Sequence, residues 1–150
     1  MKLNFTIKTF QELSLEELYR LLQLRQEVFV VEQDCPYLDC DDKDQLSWHV
    51  LGKDASGEIH GYTRLVPLGI SYEEYASIGR VITSSHYRRT GVGKELMRFS
   101  IDEVKRLWAD AKIKISAQVY ILHFYESLGF EAVGEEYLED DIPHKAMILK

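Results

Sequence analysis

The order in which two hydrophobic periods alternate along this chain restricts its fold more than any other feature. Alternating apolar residues and β-branched runs predict strands, and apolar residues three and four positions apart predict helices. The predicted strands cover 4–9, 48–53, 58–68, 77–83, 113–118, 130–138 and 145–149. The predicted helices begin after Ser14, near Gly91 and at Ile121. The order β-α-β-β-β-α-β-α-β-β fits neither a regular βαβα alternation nor an all-hairpin fold, and it predicts a mixed α/β fold whose sheet carries helices on both faces.

Length and charge limit the class of protein. With 150 residues, the chain is expected to form a single domain, 1–150. Its net charge of −7 argues against nucleic acid as the main partner. No segment approaches the ~20 apolar residues of a membrane helix, and the N-terminus lacks the apolar core of a signal peptide, so we expect a cytoplasmic protein with no membrane partner. Cys35 and Cys40 lack the further ligands and the spacing of a metal site, so we expect no metal.

A glycine-containing segment stands between the strand 77–83 and the helix that follows. It reads Arg88-Arg89-Thr90-Gly91-Val92-Gly93-Lys94 and is called the cradle below. A helix N-terminus has unpaired N–H groups and a partial positive charge, so it binds anions, and glycine lets the backbone approach a ligand closely. The segment predicts a pyrophosphate site; the alternative is an ordinary turn with solvated cations.

Other nucleotide and hydrolase motifs are excluded by single positions. A Walker A loop would need glycine at Arg88 and serine or threonine at Glu95, and a dinucleotide fingerprint would need glycine at Leu96. The sequence contains neither H-E-x-x-H nor G-x-S-x-G. What remains is R-x-x-G-x-G between a strand and a helix.

A second group of residues, further along the chain, narrows the interpretation of this motif. Gln118 is followed by Phe124-Tyr125-Glu126-Ser127-Leu128-Gly129-Phe130. Together with R-x-x-G-x-G, these residues resemble the GNAT family of N-acetyltransferases. The resemblance implies the acyl-CoA N-acyltransferase fold, with a mostly antiparallel mixed sheet flanked by helices on both faces.

The front half of the chain resembles one branch of that family, the ElaA-like acetyltransferases. The matching segments are 25–33, 35–37, Asp39 with Asp44, 61–65, 78–81, 116–118 and 142–144. Their occurrence in the correct order along the chain makes a chance resemblance hard to obtain.

The resemblance implies acetyl-CoA as the acetyl donor. In the family the cradle binds pyrophosphate and pantetheine, and the backbone at the end of the preceding strand follows the pantetheine arm and the thioester carbonyl. The residues implied for the cofactor are Val81, Ile82, Thr83, Arg88, Arg89, Thr90, Gly91, Val92, Gly93, Lys94, Gln118 and Phe124. A break between this strand and a parallel neighbour would leave its donors free, but the sequence does not reveal a break. Gln118 stands where many members carry asparagine, and a solvated polar residue at a strand end is the alternative for it.

The resemblance also suggests catalytic residues. Tyr125 is the expected general acid, since a neutral phenol can protonate the departing thiolate; a core aromatic is the alternative. Glu32, at the end of the first helix, and His144, on a predicted acidic loop, are the candidates for the base, and a water relay could replace either. Arg64 and Arg80 are expected to pair with carboxylates, because a buried charge needs a partner.

The resulting hypothesis is an N-acetyltransferase in which an amine attacks acetyl-CoA directly. The acceptor is a small-molecule amine or a protein lysine or N-terminus, and a homodimer is compatible with the sequence. An acyl-homoserine lactone synthase-like activity is the first alternative, since Arg25 and Phe29 form a similar R-x-x-x-F motif; a CoA-binding module without turnover is the second. The segment 33–45 either shapes the acceptor pocket or is a solvated connection.

Overall fold

The computed structural model describes residues 2–150 and reproduces the predicted order of elements. The strands are β1 (Asn4–Thr9), β2 (Trp48–Lys53), β3 (Ile59–Val66), β4 (Ser77–Thr83), β5 (Ile113–Gln118), β6 (Glu131–Glu139) and β7 (Ile142–Leu149). The α-helices are α1 (Leu15–Arg25), α2 (Val92–Leu107) and α3 (Leu122–Glu126), and a π-helical segment, Gln26–Glu32, continues α1. No helix within residues 2–150 has both the length and the apolar character needed to cross a membrane.

The strands form two antiparallel sheets that meet at a single point. The first has the order β1-β2-β3-β4 and the second the order β5-β7-β6. A parallel bridge between Ala76 and Ile113 joins them, where the Ala76 N–H donates to the Lys112 carbonyl over 3.0 Å and the Lys114 N–H donates to the Ala76 carbonyl over 2.9 Å. Beyond this bridge, residues 2–150 show no pairing between β4 and β5, so the two strands separate towards their C-terminal ends. This gap, called the splay below, is the break that the sequence did not reveal.

Helices cover opposite faces of the first sheet, as predicted. Neighbouring residues of β2 point to opposite faces, as in any strand: Val50 packs in a cluster with α2, whereas Leu51 packs in a second cluster with α1. The cluster with α2 continues through the inward-facing residues of β5 and reaches Tyr125 in α3. The α1 face of the sheet is therefore separate from the face that holds α2 and α3.

The start of α1 confirms the capping box predicted at Ser14. The Ser14 hydroxyl accepts from the Glu17 N–H over 3.0 Å, and a Glu17 carboxylate oxygen accepts from the Ser14 N–H over 2.8 Å. The same carboxylate binds Lys8 and Lys53. Burial alone would raise the pKa of Glu17, but the bonds from Lys53, the Ser14 backbone and Lys8 lower that pKa to about 2.

A β-bulge interrupts β4 beside the splay. Gly79 lies opposite Arg64 and Ile82 lies opposite Tyr62, so both Arg80 and Val81 stand against a single residue of β3. A bulge reverses the side-chain alternation that follows it. The buried Ile82 accordingly packs on the α1 face together with Tyr62.

The prediction that His144 lies on an acidic loop is wrong. β6 and β7 form a tight hairpin in which Asp140 and Asp141 both have positive φ, 51° and 62°, as a two-residue type I′ turn requires. His144 therefore lies inside β7. Pro143 cannot donate to a ladder, but β5 begins to pair with β7 only at His144, so the proline lies where β7 has an open edge.

Candidate active site

The cradle is an open helix N-terminus. Gly91 is the N-cap of α2, with φ of +87°, and no side chain caps this end of the helix. A Cβ added at Gly91 would meet no atom within 4 Å. A helix N-terminus without a side-chain cap leaves the N–H groups of its first turn unpaired, which is the arrangement that binds anions.

Three elements meet at the start of α2. A Cβ added at Gly93 would lie 3.6 Å from the ring of Phe124 in α3 and 4.0 Å from the Thr83 methyl group at the end of β4. Gln118 ends β5, on the other side of the splay. The structure therefore places the residues predicted for the cofactor at the cradle and along the two strands that separate beside it.

The cationic and hydroxyl side chains of the cradle differ in their contacts. Arg88 donates from Nε to the Thr83 carbonyl over 3.1 Å and from Nη2 to Glu32 over 2.7 Å, and the Thr90 hydroxyl donates to the Tyr87 carbonyl. Arg89 and Lys94 are exposed and form no ion pair with residues 2–150. These two cations remain available to phosphate.

Tyr125 is buried at the edge of the core, and its hydroxyl is not completely enclosed. The residue is 6% exposed, and its ring packs edge-on against Phe124 and Phe130, with centroids 5.1 Å and 5.9 Å away. Its hydroxyl forms no hydrogen bond with residues 2–150, yet the oxygen is not fully enclosed. Burial, with a smaller contribution from Tyr120, raises the pKa of the Tyr125 phenol above its ordinary value. The phenol is therefore protonated at neutral pH and has a proton to donate.

His144 faces the end of β5. It is the register partner of Gln118 in β5 and of Tyr137 in β6, and it is 6% exposed. Its Nδ1 lies 2.7 Å from the Ile142 carbonyl, and since a carbonyl only accepts, Nδ1 carries the proton. Its Nε2 lies 3.6 Å from a Glu139 carboxylate oxygen, which is too far for a hydrogen bond. The Nε2 of His144 thus has no hydrogen-bond partner among residues 2–150 and has a carboxylate nearby.

Polar side chains that the sequence did not single out surround His144. The Ser116 hydroxyl bonds the Tyr137 hydroxyl and donates to Glu139 over 3.2 Å. The Tyr137 ring stacks on the His144 ring, with centroids 6.2 Å apart and an interplanar angle of 22°. Alternation along β5 could have shown that Ser116 points away from the core, but its partners depend on the strand register.

Glu32 has a different environment. It ends the π-helical segment after α1, and its carboxylate accepts the bond from Arg88 in the cradle. Both side chains are about two-fifths exposed, at 41% for Arg88 and 42% for Glu32. Glu32 is therefore engaged in a solvent-exposed ion pair, whereas His144 is buried with a free nitrogen.

The segment 33–45 is tied to the sheet by buried ion pairs and is not a solvated connection. Arg25, which is fully buried, donates to Asp39 and to Asp44, each over 2.7 Å. Arg64 binds Asp44 over 3.0 Å and Asp41 over 2.8 Å. Burial alone would raise the pKa of Asp41 and Asp44, but the adjacent arginines hold both values below the ordinary range. The predicted pairing of Arg64 is confirmed, and Arg25 of the R-x-x-x-F motif serves the same network.

Arg80 confirms the second predicted pairing and joins this network to the bulge. It donates from Nε to an Asp39 carboxylate oxygen over 2.8 Å and from Nη2 to the Asp39 carbonyl over 3.0 Å. It also stands over the ring of Tyr37, 5.8 Å from the ring centroid. The segment 33–45 is thereby attached to β4.

The same segment reaches the opposite sheet. The Cys35 thiol lies 3.4 Å from the Asp140 carbonyl in the β6–β7 turn, so the segment extends from β4 to that turn. β5 and β7 lie between these two points, and they present Ser116, Gln118 and His144 on the face opposite the α2 core. This side of β5 and β7 is called the polar face below.

One group of potential metal ligands lies outside this site. Asp54, Glu58 and His60 on the β2–β3 hairpin have ligand atoms within 4.8 Å of one another. Asp54 already accepts from Ser56, from the Glu58 N–H and from His60. These bonds close the hairpin turn and account for the grouping without an ion.

Comparison with known proteins agrees with this geometry. A family model described as "Acetyltransferase (GNAT) domain" matches residues 10–150. Protein ElaA of Escherichia coli is 42% identical over 138 residues, which cover 91% of this chain and 89% of the relative. The crystal structure of an acyl-CoA N-acyltransferase from Pseudomonas aeruginosa has a TM-score of 0.92 at 43% identity, covering 99% of both chains. The crystal structure of E. coli ElaA has a TM-score of 0.92 at 38% identity, also covering 99% of both chains.

Proposed function

The chain belongs to the acetyltransferase (GNAT) family, in its ElaA-like branch, and from this premise we propose that it transfers the acetyl group of acetyl-CoA to an amine by direct attack. The observation that carries the proposal is the open N-terminus of α2 at the mouth of the splay. A diphosphate bound there would place an attached extended arm between β4 and β5.

To bind the donor, the site needs groups that neutralise the pyrophosphate and groups that bind the extended pantetheine arm. The N–H groups of the first turn of α2 would bind the pyrophosphate, with Arg89 and Lys94 as counter-charges. The edge of β4 from Val81 to Thr83 has no strand partner on its β5 side within residues 2–150. Its N–H groups would bind the pantetheine arm and polarise the thioester carbonyl as the oxyanion forms.

The departing thiolate requires a proton, and Tyr125 is the residue that we assign to supply it. Its buried, protonated phenol with an unpaired hydroxyl fits a donor that acts on a group entering the splay. General acids of this kind contribute roughly 10²–10⁴ to the rate. The proton moves from the phenol to sulfur, and the collapsing tetrahedral intermediate breaks the carbon–sulfur bond.

The acceptor amine must lose a proton, because a typical ammonium has a pKa near ~10. We assign this step to His144, whose Nε2 lone pair faces away from the Ile142 carbonyl bond. Glu139, 3.6 Å away, would stabilise the imidazolium that forms. Glu32 is the less suitable base, since its carboxylate pairs with Arg88.

The acceptor would bind beside the polar face of β5 and β7. The candidates are small-molecule amines and the lysine side chains or N-termini of proteins. A panel of such amines, incubated with acetyl-CoA and monitored for release of the CoA thiol, tests the proposal and ranks the acceptors. Tight binding of acetyl-CoA without thiol release across the panel would instead favour a CoA-binding module.

A further inference from the structure

Arg80 adopts a backbone conformation that L-residues rarely occupy. Its φ is +49°, in the left-handed region that only glycine, and sometimes asparagine or aspartate, visits readily. It stands in the β4 bulge, where it and Val81 oppose a single residue of β3. Strained residues of this kind persist only when surrounding contacts hold them, and they cluster at functional sites.

The contacts that hold Arg80 come from the segment 33–45, chiefly from Asp39, with a longer bond from Nη2 to Asp41 over 3.4 Å. The side chain and the carbonyl of Asp39 both accept from the guanidinium, over 2.8 Å and 3.0 Å. Asp39 is 6% exposed and is itself fixed by Arg25, which donates to its other carboxylate oxygen over 2.7 Å, and by the Tyr37 hydroxyl over 3.0 Å. The guanidinium therefore binds a carboxylate that cannot follow it if the bulge relaxes.

The bulge also lies in the part of β4 that is not paired with β5. The bridge to β5 is at Ala76, and Arg80 and Val81 follow it by four and five residues, within the part of β4 that borders the splay. The direction in which the Val81 N–H points depends on the φ and ψ of Arg80, because the two residues share a peptide bond.

We propose that Arg80 and Asp39 are positioning residues that hold the β4 bulge in its left-handed conformation and thereby aim the backbone N–H groups at the splay towards the donor thioester. This proposal rests on the proposed function. It also links the two proposed sides of the site, since Asp39 belongs to the segment that reaches the β6–β7 turn and Arg80 belongs to the strand that would border the donor.

Two substitutions of Arg80 test the proposal because they remove the same side chain but differ in backbone freedom. Arg80→Ala keeps the strain and loses the bonds that offset it, so the bulge should relax. Arg80→Gly adopts positive φ without strain, so the bulge should survive without the bonds. Asp39 keeps its bonds to Arg25 and Tyr37 in both variants, which preserves the buried network.

We expect kcat at saturating acetyl-CoA to fall roughly 10²-fold in Arg80→Ala, as for the loss of one oxyanion donor, and to recover to within about tenfold of wild type in Arg80→Gly. The dissociation constant for free CoA, measured by calorimetry, should change little in either variant, because the cradle is intact and free CoA lacks the carbonyl. Gly69→Ala places an alanine at φ of +89° in the connection before β4 and controls for general loss of stability.

Equal losses of kcat in Arg80→Ala and Arg80→Gly would overturn the proposal, since Arg80 would then act through its side chain on a substrate. Backbone NMR resonances of Gly79 and Val81 provide a readout independent of turnover. They should match wild type in Arg80→Gly and shift in Arg80→Ala, and a bulge unchanged in both variants would also refute the proposal. If wild type itself releases no CoA with any amine, the proposed function fails, while the resonances still decide the role of Arg80.

Discussion

Replacement of Gly91 by valine is the most direct test of the cradle. The φ of +87° at this position is a strained conformation for any L-residue and worst for a β-branched one. The left-handed region costs roughly 1–2 kcal/mol for an ordinary residue, so valine should either bear at least this cost or leave the conformation. A Cβ at Gly91 would meet no atom within 4 Å, so a clash inside the protein adds nothing to the effect.

The expected loss of binding free energy for CoA is larger than the cost of the strained backbone. Gly91 caps α2, and a change in its φ redirects the N–H groups that would bind the pyrophosphate. A hydrogen bond to a charged group contributes about 1.5–3 kcal/mol. The loss of two such bonds would weaken CoA binding by about 3–6 kcal/mol, or roughly 10²–10⁴-fold in Kd. Isothermal titration calorimetry with CoA measures this change.

Gly69→Val is the matched control. Gly69 has φ of +89°, and a Cβ there also meets no atom within 4 Å, but it precedes β4 whereas the cradle follows it. Both variants should lose similar free energy of unfolding, measured with urea, and only Gly91→Val should lose affinity for CoA. Wild-type affinity in Gly91→Val would refute the cradle, and equal loss of affinity in both variants would trace the effect to general destabilisation.

Three further predictions address the chemistry and the stability. Tyr125→Phe removes a hydroxyl that has no hydrogen bond within residues 2–150, so the free energy of unfolding in urea should change by less than about 0.5 kcal/mol. Turnover should fall roughly 10²–10⁴-fold, and the affinity for acetyl-CoA should be retained. Full turnover, with the chemical step rate-limiting, would show that Tyr125 is not the general acid. His144→Gln should reduce turnover by a similar factor and leave CoA binding unchanged; if Glu32→Gln loses turnover and His144→Gln does not, the base is Glu32. Glu17, whose pKa is lowered from 4.5 to about 2, contributes stability above its ordinary pKa that is lost as the pH falls from about 4.5 to about 2. The shift corresponds to about 3 kcal/mol, so Glu17→Gln should lower the free energy of unfolding by up to about that amount at pH 7 and flatten its decline in acid; an unchanged acid profile would contradict the lowered pKa.

Hydrophobic alternation and capping residues predicted most helices and strands, because the interactions that favour these elements lie within a few residues of one another in the chain. The bounds of β1, β2, β4 and β5 agree with the alternation and the β-branched runs in the sequence. The capping box at Ser14 was predictable because both of its partners lie within four residues. The extent of β7 was missed because two aspartates in left-handed conformations form a tight turn in place of the longer acidic loop that was predicted.

The buried ionic network was predictable only in part. A charged residue such as Arg64 among apolar neighbours needs a buried partner, and the sequence therefore predicted that Arg64 and Arg80 would be paired. Which aspartates pair with them depends on how the segment 33–45 crosses the sheet, and that path brings Asp39 to a strand 41 residues away in the chain. Ser116, Tyr137 and Glu139 were missed for the same reason, since they meet through cross-strand register.

The sequence by itself determined the order of elements, the glycine-containing start of α2 and the family, because glycine spacing, capping residues and hydrophobic periods are local properties of the chain. Tertiary structure alone decided that β4 and β5 separate, that Arg80 adopts a left-handed conformation in a bulge, and that His144 lies inside a strand beside Glu139. These features depend on strand register and on long-range ion pairs, whose free energy is realised only when distant segments pack together. The segment proposed to bind the donor is thus visible in the sequence, and the arrangement of the residues proposed for the acceptor side emerges only from the fold.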